Sequence, residues 1–180
     1  PLQTLLCQSN QISDLTPLDS RNLKELNCAW NMIRSLDSLR GFSLERLACR
    51  GNGIENLEPL RGMPLKRLDA GMNPLDSIEP LRGLPLELLR LDATPIESIE
   101  PLRDQPLALL SIANCAKIKD FSALNSLREL ELIVIPDQTP QETLDALQRQ
   151  SPAIMIFNSD REGKYGDIEN FLFRDTAQQR

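Results

Sequence analysis

The apolar positions of this chain fall into a fixed frame. Leu2, Leu23, Leu44, Leu65, Leu86 and Leu107 recur every 21 residues, and a second leucine column, Leu5, Leu26, Leu47, Leu68, Leu89 and Leu110, follows three positions behind. Two residues further on stand Cys7, Cys28, Cys49, Ala70, Leu91 and Ile112. Then comes a polar column, Asn10, Asn31, Asn52, Asn73, Thr94 and Cys115. Apolar residues trail behind it, as in Ile33, Leu36 and Leu39 or Leu75, Ile78 and Leu81. The local alternation x-L-x-L-x puts every second side chain on one face, which predicts a short strand with its leucines inward. Identical strands at a constant period stack in parallel about 4.8 Å apart. The turn that follows each strand bends inside the core. An inward Asn amide there satisfies backbone groups that no water reaches, and Thr94 and Cys115 do so less completely.

The chain must return to start each new strand. Its clearest return segment is Glu58-Pro59-Leu60-Arg61-Gly62-Met63-Pro64. Pro at the first helical position, Glu at the cap and a Gly-x-Pro stop predict one brief helical turn on the outer side. The acidic column Asp37, Glu58, Glu79, Glu100 precedes the basic column Arg40, Arg61, Arg82, Arg103 by three residues, so the two pair across each turn as a solvated, self-neutralising stripe.

The frame loosens near its end. Repeat six carries Cys115 in the Asn column and Ile118 one place late, and a seventh strand is expected over 127–135. Thr139-Pro140-Gln141-Glu142 reads as a capping box opening a helix to about Gln150, and Pro152 to Phe157 as a last strand. The organisation is therefore a repeat array over 1–135, a C-terminal cap over 136–157 that covers the open core, and a charged tail over 158–180. In the tail, Ile168, Phe171, Leu172 and Phe173 suggest a short amphipathic helix that docks. At the other end Pro1 stands where Pro64, Pro85 and Pro106 stand, just before a repeat begins, and nothing resembling a cap, initiator Met or signal peptide precedes Leu2. The expectation is a fragment whose natural protein continues upstream.

The pattern L-x-x-L-x-L-x-x-N/C-x-L at this period resembles the leucine-rich repeat. The resemblance implies an α/β solenoid: a right-handed superhelix with a parallel β-sheet on its concave face and short helical turns on its convex face. The Pro-Leu-x-x-Leu start and the Leu-x-Pro-Leu-x-Gly-x-Pro-Leu joint look bacterial. They are similar to internalin-type repeats, and more closely to 21-residue arrays attached to serine/threonine protein kinases and other large proteins of the planctomycete type. Such families imply a binding or regulatory module. No kinase motif occurs in this chain.

Composition narrows the chemistry. There is no histidine among the 180 residues, so Ser-His-Asp or Cys-His catalysis and His-ligated zinc are excluded within the chain. A net charge of -6 and 4% aromatics supply no electrostatic or stacking footprint for nucleic acid, and no apolar run is long enough to span a bilayer. Four cysteines raise disulfides or a thiolate metal site. Yet Cys7, Cys28 and Cys49 share one inward column on parallel strands, a poor geometry for bridging, and Cys115 is a turn residue. No cofactor or metal is expected, and free thiols favour the cytoplasm.

The remaining chemistry lies on strand positions facing outward from the core. Trp30, Arg46, Arg50, Arg67, Asp69, Arg90 and Asp92 are the candidate partner-binding residues, because Trp and Arg dominate interface hot spots and paired carboxylates fix register. The function expected is a non-catalytic module that binds a protein or peptide ligand through its concave face. The alternative is an intramolecular regulatory or spacer region of a larger signalling protein such as a kinase, contacting another domain of the same chain. A carboxylate enzyme using Asp69 and Asp92 ranks third, since an open sheet face encloses no reaction. The bland counterpart is a solvated face with its Arg and Asp paired internally.

Overall fold

Each leucine pair produces a strand of three residues. The computed structural model, which describes residues 2–158, contains β1 (Thr4–Leu6), β2 (Glu25–Asn27), β3 (Arg46–Ala48), β4 (Arg67–Asp69), β5 (Leu88–Arg90) and β6 (Leu109–Ser111) in the predicted frame. β7 (Leu132–Ile135), helix α1 (Gln141–Gln150) and β8 (Met155–Asn158) complete the chain, and the charged tail with its expected helix lies outside the described residues. All eight strands form one parallel sheet in sequence order. The register is the repeat itself: Leu26 sits opposite Leu47, Leu47 opposite Leu68, Leu68 opposite Leu89. Among the described residues the sheet does not close on itself, as in a solenoid.

Behind the sheet runs one continuous core. Leu65, Leu68, Leu75 and Leu81 and their counterparts in neighbouring repeats are fully buried. Each such side chain contributes about 2 kcal/mol of burial energy, but only because the repeats on either side supply the other half of its surroundings. The return segments close with 3₁₀ turns at Asp37–Leu39, Glu58–Leu60, Glu79–Leu81, Glu100–Leu102 and Ser122–Ser126. The expected acidic cap differs in detail. Glu58, Glu79 and Glu100 are the first residues of their turns rather than caps, and their carboxylates take up the arginines three residues on, as in Arg61 Nε to Glu58 at 2.6 Å and Arg82 Nε to Glu79 at 2.7 Å. Those hydrogen bonds hold the three glutamates below the ordinary carboxylate range.

The C-terminal end corrects two expectations. β7 begins at Leu132, not Leu127, because Leu109 pairs with Leu132 and so the sixth unit is two residues longer than its predecessors. Leu127 closes the 3₁₀ turn instead of opening a strand. The capping box is not made either. Pro140, in extended conformation, takes the cap position itself, and the Thr139 hydroxyl turns back to donate to the Pro136 carbonyl. α1 then buries Leu147 against the core, and β8 pairs with β7.

Candidate binding surface

The turn after each strand is held from inside by asparagine. Asn73 Nδ2 donates to the carbonyls of Cys49, Ala70 and Gly71 at 3.0, 3.1 and 3.1 Å, and its Oδ1 accepts the Ile54 amide at 3.0 Å. Asn31 and Asn52 repeat the arrangement. Four hydrogen bonds per amide, two of them to the preceding repeat, fix how far each unit is displaced from the last. Thr94 and Cys115 do less, each donating to the Leu91 carbonyl. Next to the Asn column the backbone enters the left-handed region at Ser9, Trp30, Gly51, Met72, Ala93 and Asn114, although glycine occupies only one of these six positions.

That left-handed residue carries its side chain to the rim of the concave face. Trp30 is 49% exposed, and its ring lies over Gly51, where a Cβ would collide with it. The glycine thus makes room for the indole to lean across the next repeat. Met72, two repeats along, is exposed in the same frame position. Below this rim the sheet floor of β2–β5 forms a shallow open groove, lined among others by Glu25, Asn27, Arg46, Arg67 and Asp69. Arg46 reaches across one strand to Glu25 at 2.6 Å and stays exposed; Arg67 is half-buried beside it.

The other four candidates form a different object. Arg50 Nη1 meets Asp92 at 2.9 Å, crossing over β4 where Gly71 leaves space for the guanidinium, and it also lies 3.8 Å from Asp69. Arg90 is 3.5 Å from Asp69 and 3.2 Å from Asp92. The Ser111 hydroxyl donates to the second Asp92 oxygen. Two cations and two anions therefore neutralise one another. Burial pushes the Asp69 carboxyl up, while Arg90 and Arg50 draw it back. Arg90 and Asp92, expected to face solvent, are only 5% and 3% exposed. Their place is a buried network that joins three repeats, in which loss of one member strands the others at a cost of about 3–5 kcal/mol.

The thiols are equally inward. Cys7, Cys28, Cys49 and Cys115 are free. Burial pushes Cys28 up to about 12 and Cys49 well above its ordinary value, so neither is a thiolate near neutrality.

No protein-family model and no curated protein matches the sequence. Solved structures do match it. An internalin C2 of Listeria monocytogenes is 28% identical, covers 87% of this chain and 71% of its own, and superposes with a TM-score of 0.77. It has the fold of the bacterial leucine-rich repeat proteins. The functional domain of InlJ from the same organism, which includes a cysteine ladder, is 25% identical over 87% of this chain at a TM-score of 0.66. The leucine-rich repeat protein LIC12759 of Leptospira interrogans is 19% identical over 86% with a TM-score of 0.63. This chain spans 34% of the InlJ structure and 42% of the Leptospira one. The leucine-rich repeat frame read from Leu2 to Leu110 is thus the frame of the fold, and among the described residues no helix is long and apolar enough to cross a membrane.

Proposed function

We propose that this leucine-rich repeat chain is a non-catalytic protein-interaction module that binds a protein or peptide with the front half of its concave face. One observation carries the reading: over β2–β4 a rigid, hydrogen-bonded floor presents Arg46 and Arg67 beneath the exposed rim residues Trp30 and Met72. Aromatic and Met side chains beside arginines are what a protein interface enriches. The groove is open, which suits an extended or convex protein segment and gives a reacting small molecule no enclosure. Asp69 and Asp92, the carboxylates that acid–base work on this face would need, are engaged with Arg50 and Arg90. The likeness to internalins is consistent with a binding role. Four free cysteines fit a reducing compartment, the cytoplasm.

The test is capture of partners from cell extract by the immobilised chain, with identification by mass spectrometry and a titration of the purified partner followed by Trp30 fluorescence. Arg46→Ala with Arg67→Ala weakens that binding at least tenfold, equal to about 1.4 kcal/mol, and leaves the melting temperature within a few degrees. Unchanged affinity of the double variant rejects this surface. Binding that requires Arg90 but not Arg46 or Arg67 moves the site elsewhere on the face.

A further inference from the structure

In a solenoid each unit ordinarily touches only the units beside it. The asparagine column follows that rule, with Asn73 reaching Cys49 and Ile54 of the preceding repeat, and so do the ion pairs of Arg46 with Glu25 and of Lys24 with Glu45. Arg50 departs from it. It stands after β3, yet its Nη1 meets Asp92, which stands after β5, at 2.9 Å and a separation of 42 in the sequence. That bond crosses two strand spacings, about 10 Å of sheet. The guanidinium passes through the space that Gly71 leaves after β4, where a Cβ would collide with it. Further contacts hold both ends: Arg50 lies 3.8 Å from Asp69, Arg90 lies 3.5 Å from Asp69 and 3.2 Å from Asp92, and the Ser111 hydroxyl donates to Asp92.

These contacts fall unevenly on the junctions between repeats. Parting β3 from β4 breaks the contacts of Arg50 with both Asp69 and Asp92. Parting β4 from β5 breaks the Arg50–Asp92 bond again, together with Arg90 to Asp69. Parting β2 from β3 breaks none of them. It costs the surface pairs of Arg46 with Glu25 and of Lys24 with Glu45, and separate surface pairs contribute less than a network of charges. One bond that spans two junctions also couples them. Neither junction opens without breaking it, and once the first has opened, the second has already lost that support.

We propose that Arg50 is a staple across the fourth repeat that makes β3–β5 one cooperative block, from which the first two repeats open at the junction of β2 and β3. The fold thus contains a fixed hinge line. Arg46 and Arg67 stand on the block at a preset spacing, while Glu25 and Trp30 belong to the part that opens beside it, so an incoming segment meets cations that need no ordering. That last consequence rests on the front-face reading; the block does not.

Native-state hydrogen exchange of the full chain reads the junctions one at a time. The amides of Cys28, Cys49 and Ala70 donate to Ala48, Asp69 and Arg90 from the same frame position, and each bond crosses one junction. In the wild type, exchange is expected to slow by about tenfold or more from Cys28 to Cys49 and then to stay level, within about threefold, from Cys49 to Ala70, with one common urea slope. Arg50→Met with Asp92→Asn removes the bridging pair and leaves Arg90 its counter-ion Asp69. In that variant Cys49 is expected to exchange about tenfold faster than Ala70 and with the smaller urea slope. Lys24→Met, which deletes a pair between neighbours, is expected to leave Cys49 and Ala70 level. Protection that climbs by about tenfold or more from Cys49 to Ala70 in the wild type overturns the proposal however the double variant folds. So does a double variant in which the two amides stay level, since the plateau then belongs to unfolding of the whole array. If the plateau and its loss are found while Arg46→Ala with Arg67→Ala leaves partner affinity unchanged, the front-face reading falls and the block remains.

Discussion

At the residue scale, the asparagine column connects sequence to architecture most directly. An amide has two donors and one strong acceptor oxygen, and the turn after each strand presents inward carbonyls of its own and of the preceding repeat, together with one inward amide of that preceding repeat. Asn73, 3% exposed, satisfies four backbone groups. Asn10 occupies the same column but is exposed and donates only to its own turn, at Cys7 and Gln8. The two positions are equivalent in sequence and unequal in energy. Asn73→Ala leaves buried backbone groups without partners and lowers the unfolding free energy by about 3–5 kcal/mol; Asn10→Ala, whose freed groups meet water, costs under about 1 kcal/mol. Urea denaturation of both variants checks this, and equal losses at the two sites would mean that the column does not act through buried backbone.

At the scale of the element, four of the return segments end on a left-handed residue. Gly41, Gly62, Gly83 and Asp104 stand 21 apart with φ of 77°, 72°, 72° and 60°. A Cβ at Gly62 or Gly83 meets nothing within 4 Å, so the requirement is one of backbone conformation and not of space. Asp104 takes on the left-handed penalty that glycine avoids, and its backbone amide donates to the Ser126 hydroxyl. Asp104→Gly is therefore expected to raise stability by about 0.5–1 kcal/mol, and Gly83→Ala to lower it by about 1 kcal/mol, both read as shifts in the urea midpoint at constant slope. This column was legible because glycine marks it. The other left-handed column was not, since Trp30, Met72 and Ala93 carry no signal for positive φ and only the surrounding hydrogen bonds force it. For the same reason Leu127 reads as a strand start: the leucine is in place, but the two extra residues of the sixth unit show only in the pairing of Leu109 with Leu132. The inward columns needed no structure to find, because burial on the core side depends on period alone. Burial of Arg90 and Asp92 on the outer side goes with the ion pairs they make with Asp69, Arg50 and each other, which a period does not encode.

Across the whole molecule, stability is a matter of neighbours. In a solenoid each unit is held by the two beside it, so opening free energy depends on position in the array as well as on local contacts. One frame position isolates that dependence. The amides of Cys7, Cys28 and Cys49 donate to Asn27, Ala48 and Asp69 with the same 2.8 Å geometry, from the same residue type in the same turn. Their surroundings differ: Cys7 is half-buried just after β1, an edge strand paired on one side only, and Leu5, Ile12 and Leu18 around it are partly buried where their counterparts Leu47, Ile54 and Leu60 are closed off. If protection followed the hydrogen bond, the three amides would exchange alike. Opening the first repeat, however, breaks one inter-repeat interface, while exposing Cys49 requires two interfaces to fail or the first two repeats to peel away in order. Native-state hydrogen exchange is therefore expected to rise in protection from Cys7 to Cys28 to Cys49, with Cys7 at least a hundredfold faster than Cys49, about 2.7 kcal/mol in opening free energy. Equal protection at the three amides would show that the array opens only as one cooperative block, and the graded, one-dimensional account of its stability would have to be abandoned.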